Sequence, residues 1–290
     1  MRRNLQSAAM VLCMVWACVV TAQQLPYVLP EYERTGGPYV PTPMLVVDQM
    51  LDMAKVSEQD HVIDLGSGDG VIVITAAYQR RASGYGVDID EELVRHSNQR
   101  AQNLGIDGRV HFEAKDVFKA DVSKATVVTL YLLPEMMQRL RNKLYAELRP
   151  GTRIVSHDYH FEEWLHDAEV AIDVPEKEFI SGVPSATLYL WTVPAKVGGV
   201  WRMQVDGERV YELTLNQQYQ SVEGWSVSGD HKANLLEPQM NGSEISFVMP
   251  HQGPDHGSYF GRIDGDQMEG IARFSGGKVV RWRAVRSKIS

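Results

Sequence analysis

Residues 61–70, His-Val-Ile-Asp-Leu-Gly-Ser-Gly-Asp-Gly, run a short apolar strand directly into a turn with glycine at positions 66, 68 and 70. Glycine takes positive φ freely and lets another group approach the backbone closely, so such a turn can bend sharply around a ligand. The apolar run that follows predicts a helix from about Asp69 to Gln79, with its first amides pointing back at the turn. A strand–turn–helix unit of this kind belongs in a parallel sheet, and many doubly wound proteins have one. Alone it names no ligand.

The unit is the first of a series. Apolar runs at Gly84–Val87, Val110–Glu113, Thr126–Leu130 and Thr152–Ser156 alternate with helical stretches at Glu91–Leu104 and Pro134–Leu148, the second halted by Pro150-Gly151. A strand through Leu188, Leu190 and Trp191-Thr-Val193 closes the series. This alternation predicts an α/β fold over residues 57–195, a Rossmann-like doubly wound and mostly parallel sheet with helices on both faces. Residues 23–56 precede it as a Pro-, Tyr- and Gly-rich lid segment and a helix, Met44 to Lys55. There Thr42-Pro43 supplies the cap and first-turn residue, and Met44, Val47, Leu51 and Met53 the buried face. From residue 196 the pattern becomes short strands separated by Asp206-Gly207, Asn241-Gly242, Asp264-Gly265 and Gly276-Gly277. Such pairs favour tight hairpins, so 196–290 is expected to form a small all-β antiparallel barrel or sandwich. Binding an apolar ligand, a lipid or a partner, or packing on the α/β domain, are its open roles.

The N-terminus reads as an export signal over residues 1–22. Arg2 and Arg3 precede the apolar run Ala8–Val20, and Val20-Thr21-Ala22 offers small residues before Gln23. The chain is expected in the periplasm or outside the cell; a membrane anchor, or a cytoplasmic chain starting at Met10 or Met14, are the alternatives. Both cysteines, Cys13 and Cys18, lie in this segment, which leaves the mature chain without thiol chemistry. The chain carries −8 overall, and Arg2 and Arg3 contribute +2, leaving −10 for the rest. That balance argues against a large nucleic-acid footprint, which needs clustered Lys and Arg.

Two acids complete a constellation with the glycine turn. Asp88 ends the second strand about 20 residues on, where a carboxylate accepts both hydrogen bonds of a ribose diol. Asp116 follows the third strand, placed to accept from an adenine amino group while Val117 packs on the ring; capping a loop is its other reading. His157, His160 and His166 with Asp158, Glu162 and Glu163 lack a helical ligand motif, so no metal is expected, and His157-Asp158 instead borders the far end of the cleft.

In order, Val62-Ile-Asp-Leu-Gly-Ser-Gly-Asp-Gly70, Gly86-Val-Asp-Ile-Asp90 and Lys115-Asp116-Val117 resemble the motifs of class I S-adenosylmethionine-dependent methyltransferases. Pro38-Tyr-Val-Pro-Thr-Pro43, Thr129-Leu-Tyr-Leu-Leu-Pro134 and Leu148-Arg-Pro-Gly-Thr-Arg-Ile-Val-Ser156 are similar to one branch of them. That branch is the mitochondrial protein-lysine N-methyltransferases that modify an ATP synthase membrane subunit, with their bacterial relatives. The resemblance spans about 38–194. It implies S-adenosyl-L-methionine as cosubstrate, with Asp64 and Gly66 at the methionyl end and Ser67 and Gly68 completing the turn. Asp88 and Ile89 would sit at the ribose, Asp116 and Val117 at the adenine, and Thr42 in a lid. Tyr131, with the backbone through Pro134, would orient the acceptor, a protein lysine or a small amine; membrane proximity and oligomeric state stay open. Val71 departs from the branch, which usually has Arg there.

Two other readings are weighed. A nicotinamide-dependent dehydrogenase shares the strand-end acid, but its usual turn is G-x-G-x-x-G rather than G-x-G-x-G. An exported, non-catalytic binding protein that keeps the fold would explain how a chain sent away from the cytosolic cosubstrate pool could be useful.

Overall fold

The computed structural model describes residues 37, 39–207, 209–250 and 256–287. The segment read as an export signal, and most of the lid before Tyr39, lie outside the described residues.

Two sheets organise the chain. The first contains β1 (His61–Leu65), β2 (Ser83–Asp88), β3 (Val110–Ala114), β4 (Val127–Leu130), β5 (Arg153–His157), β6 (Ala168–Asp173) and β7 (Ser185–Thr192). Their spatial order is β3-β2-β1-β4-β5-β7-β6. β1 to β5 are parallel, β7 runs antiparallel to β5, and β6 antiparallel to β7. The sheet is Rossmann-like and mostly parallel, as the alternation predicts. β6 is the strand the sequence did not announce. Nearly all of it is exposed at the sheet edge, so it lacks the in–out alternation that reveals a half-buried strand.

Neighbouring residues in the central strands face opposite sides. Val62, Val127, Val155 and Leu188 pack with α1 (Met44–Met53) and Ile72 and Ala76 of α2 (Val71–Arg80) on one face. Ile63, Val128 and Ile154 pack with Met137, Leu140 and Leu144 of α4 (Pro134–Glu147) on the other. α3 (Glu91–Asn103) covers β2 and β3 beside α2, through Val94 and Ala101. Both sides of the sheet are therefore core, which explains why its strands read as unbroken apolar runs.

α1 corrects two details. Its N-cap is Pro43, without a side-chain cap bond, and Thr42 lies outside the helix. Its buried face is Val46, Val47, Met50 and Leu51, while Met44 is exposed at the first turn. The chain enters the helix extended through Pro43, and Met53 is only partly buried at the edge of the same core.

The second sheet is a nine-stranded antiparallel meander, β8 (Gly199–Val205), β9 (Arg209–Gln218), β10 (Ser221–Ser228), β11 (His231–Asn234), β12 (Leu236–Asn241), β13 (Glu244–Pro250), β14 (His256–Asp264), β15 (Gln267–Phe274) and β16 (Val279–Arg286). β8 pairs with β16, and the Leu235 amide reaches Gly224 O at 2.9 Å, so the sheet nearly closes into a barrel. The inward side chains, among them Trp201, Leu213, Phe247, Tyr259, Met268 and Trp282, fill its interior. The hairpins fall at the four anticipated pairs, with Asn241 and Asp264 belonging to strands rather than to turn centres. The turn at Tyr219, a non-glycine residue with φ 53°, was not anticipated.

The two sheets share a packed seam. Tyr219, from the β9–β10 turn, stacks on Trp164 at 5.1 Å and 7°, and meets Tyr145 edge-on at 5.1 Å. The Ala195 amide donates to Gly242 O at 2.7 Å.

Candidate functional site

In an open α/β sheet, ligands settle beyond the carboxyl ends of the strands where strand order reverses. Here β1 is flanked by β2 on one side and β4 on the other, and at that point lies a cleft of ≈ 700 Å³. Asp64, Gly66, Ser67, Gly68, Asp88, Ile89, Asp116, Val117 and Tyr131 all line it, and so does Thr42 from the segment before α1. Pro134 does not: it opens α4, and Leu132 and Leu133 form the wall instead.

The glycine turn is held rigidly. Gly66 and Ser67 both donate amides to Val87 O at 2.9 Å, binding the turn to β2. Gly68 has φ 51°, and a Cβ there would lie 2.5 Å from the Tyr39 ring. Position 68 thus needs glycine for both dihedral and space. Tyr39 brings the 39–42 segment across the turn as a roof. Burial, and then the charge of Asp69, push the Tyr39 phenol up to about 12.

Each acid has a distinct setting. The Asp88 carboxylate accepts from the Gly68 amide at 2.8 Å and the Asp90 amide at 3.0 Å, which fixes it at the cleft edge. Asp116 accepts from the Phe118 amide at 3.0 Å, capping the 3-10 turn Val117–Lys119, and also lines the cleft. Asp64 is 2% exposed and accepts from Thr129 Oγ1 at 2.7 Å. Burial, reinforced by Asp88 and Asp69, raises its carboxyl to about 7. Beside it Ser67 Oγ is buried with no hydrogen-bond partner among the described residues. A buried hydroxyl without a partner in a cleft wall is a place for a ligand's polar group.

Two arginines, one behind the glycine turn and one in the cleft wall, had no local signal. Arg100, on α3, pins Asp69 through its carboxylate at 2.6 Å and its carbonyl at 2.8 Å. Arg139 of α4 lies over the Phe118 ring at 4.0 Å and lines the cleft next to Val117. Both reach their partners from helices distant in sequence, so no local pattern marks them.

Beyond β4 the cleft becomes aromatic. Tyr131 stacks on His157 with ring centroids 3.9 Å apart, and lies parallel to Tyr159 at 6.4 Å. His157 is fully buried, and neither ring nitrogen has a hydrogen-bond partner among the described residues. Burial holds its imidazole down at about 4, so it is neutral near pH 7. Burial, followed by Asp158, pushes the Tyr131 phenol above the usual tyrosine range. Apolar Leu132, Leu133 and Met136 complete this end.

The cleft therefore has an acidic, hydrogen-bonding half and a drier aromatic half. The acidic half fits S-adenosylmethionine: Asp116 for an adenine amine, Asp88 for a ribose diol, and Asp64 with Ser67 for the amino-acid end. Comparison with known proteins supports S-adenosylmethionine as the cosubstrate. A family model described as the ANTKMT methyltransferase domain matches residues 64–168. A protein-lysine N-methyltransferase of Saccharolobus islandicus is 40% identical over 157 residues, covering 54% of this chain and 93% of that protein. The ATP synthase c-subunit lysine N-methyltransferase of Xenopus laevis is 34% identical over 143 residues, 49% of this chain and 62% of that one. A crystal structure of an RNA methyltransferase from Salinibacter ruber, in complex with S-adenosyl-L-homocysteine, is 46% identical and superposes with a TM-score of 0.50. It covers 55% of this chain and 96% of its own.

Proposed function

The chain belongs to the family of S-adenosylmethionine-dependent protein-lysine N-methyltransferases, and we propose that it methylates the ε-amine of a lysine on a protein that reaches the Tyr131 end of the cleft. The observation that carries this reading is the polarity change along one cleft, from Asp116, Asp88 and Asp64 to the ring of Tyr131.

Bound S-adenosylmethionine supplies an electrophilic methyl on a sulfonium, so N–C bond formation and C–S cleavage pass the positive charge from sulfur to nitrogen. The chain's own contribution is to position and to exclude water. Asp88 and Asp116 fix the nucleoside end. Leu132, Leu133 and Met136 keep the aromatic end dry. An arriving ammonium must first lose its proton. Tyr131 holds its own proton too firmly to accept another's, and that proton goes to solvent before the acceptor is enclosed.

RNA is the second reading, because the Salinibacter protein is described as an RNA methyltransferase. The net charge of −8 weighs against it, since phosphate binding needs concentrated basic charge. The non-catalytic alternative gains nothing from the relatives above, all named as methyltransferases. We also propose export of the chain, with cleavage after Ala22; a mature protein whose mass begins at Met1 would contradict it.

The test is transfer of a labelled methyl group into protein, RNA and lipid fractions of the host, after calorimetry has shown adenosylhomocysteine binding. Label on lysine in the protein fraction is expected. Label confined to RNA or lipid overturns the acceptor assignment.

A further inference from the structure

The segment between β6 and β7 sends one charged side chain inward. Lys177, in the short 3-10 turn Pro175–Lys177, is 3% exposed. Its ammonium pairs with Asp158 Oδ2 and donates to Ser185 O at 2.8 Å. Burying an ammonium is costly unless it is paired and hydrogen-bonded, and here both conditions are met.

Asp158 is itself constrained. It follows β5 with φ 63°, a left-handed conformation that non-glycine residues seldom adopt. Its amide donates to Thr187 O at 2.7 Å, and its Oδ1 accepts from the Thr187 amide at 3.2 Å. Strained backbone persists where surrounding contacts over-determine it, and such positions gather at working sites. The carboxylate lies beside Tyr131: Asp158 Oδ2 is 3.5 Å from Nε2 of His157, whose ring stacks on Tyr131 at 3.9 Å, and its charge helps push the Tyr131 phenol up.

We propose that the buried Lys177–Asp158 pair is the positioning device for the methyl acceptor: it engages the phenolic proton of Tyr131, so that Tyr131 offers only oxygen lone pairs to the cleft and selects an acceptor arriving as an N–H donor. A phenol has one proton. With that proton committed to Asp158, Tyr131 can accept from an amine and cannot donate to a carbonyl or an ether. Accepting one N–H also turns the nitrogen lone pair, by tetrahedral geometry, away from Tyr131 and along the cleft. Lys177 keeps Asp158 aimed. Asp158 and Lys177 do not line the cleft; they act through Tyr131. This inference rests on reading the cleft as a lysine methyl-transfer site.

Removing one partner alone would strand a buried charge and unfold the chain, whereas replacing both with neutral groups of similar size is tolerated. The test therefore uses the double variant Asp158→Asn/Lys177→Met. In each background 3,5-difluorotyrosine replaces Tyr131, bringing the phenol's titration into a pH range the fold survives, and fluorine NMR reads its ionisation. The expected result is a midpoint lower by about one pH unit or more in the double variant. Affinity for adenosylhomocysteine should be unchanged, and turnover of the labelled protein acceptor lower by about 10²-fold. An unchanged midpoint overturns the inference, whatever happens to turnover. If the parent chain fails to bind adenosylhomocysteine, the functional reading falls instead, so the two failures are distinguishable.

Discussion

The carboxylate of Asp88 accepts a hydrogen bond from the amide of Gly68 at 2.8 Å, tying the end of β2 to the glycine turn after β1. With the Gly66 and Ser67 amides on Val87 O, that contact holds the glycine turn against the end of β2.

Asp88→Ala should therefore lose more than its own contacts with a ribose. Two charged hydrogen bonds at roughly 1.5–3 kcal/mol each set the expected loss of adenosylhomocysteine affinity at about two to four orders of magnitude. Calorimetry on the purified variant reads it directly. Affinity near that of the parent would remove Asp88 from the site.

Asp64 titrates at about 7, well above its unfolded value of 3.8. A carboxyl raised on folding binds its proton more tightly in the native state, so native stability falls as pH rises from about 4 to 7 and the penalty is complete above that. Asp64→Asn keeps an acceptor for Thr129 Oγ1 and removes the penalty. The ligand-free variant should melt higher than the parent at pH 8, by an amount on the order of a few kcal/mol. In the proposed site ionised Asp64 faces the ligand's ammonium, so parent affinity for adenosylhomocysteine should climb through pH 7 while the variant's stays flat. A variant that melts lower at pH 8 would show that folding does not raise the Asp64 carboxyl.

His157 runs the other way. Its imidazole sits at about 4 when folded, against 6.5 in the unfolded chain. The unfolded state then binds more protons between those values, and stability drops as pH falls from 6.5 to 4. His157→Phe keeps the stack under Tyr131 and cannot protonate. Melting curves from pH 4 to 7 should lose this acid-side decline in the variant, whereas Asp64→Asn should steepen it. Identical slopes in parent and His157→Phe would contradict the buried neutral imidazole.

What the sequence disclosed was what local backbone geometry dictates. Gly66, Gly68, Asp88 and Asp116 stand beside strand ends, and a strand end fixes where its next side chain points. The acceptor end was legible only as Tyr131 and the pair His157-Asp158. Lys177 reaches Asp158 from the 3-10 turn between β6 and β7, 19 residues along the chain, and nothing within a few residues of Lys177 marks it. Arg100 meets Asp69 from one helix turn among several on α3. Pro134 was drawn toward the site by its motif, but its ring serves to start α4.

Tyr219 offers a test of how the barrel is joined to the α/β domain. It holds φ 53° while its ring stacks on Trp164. Tyr219→Ala removes the ring and keeps a Cβ in a left-handed conformation; Tyr219→Gly removes the ring and relieves the conformation. Loss of the aromatic should cost about 3 kcal/mol in both. The left-handed cost of about 1–2 kcal/mol persists only with alanine, and outweighs glycine's entropic disadvantage of about 0.5–1 kcal/mol. The glycine variant should therefore melt above the alanine variant, reversing the usual order of the two residues. Chemical denaturation of both, followed by tryptophan fluorescence, decides it: if alanine is the more stable, Tyr219 is not under the backbone constraint that seats it in the seam.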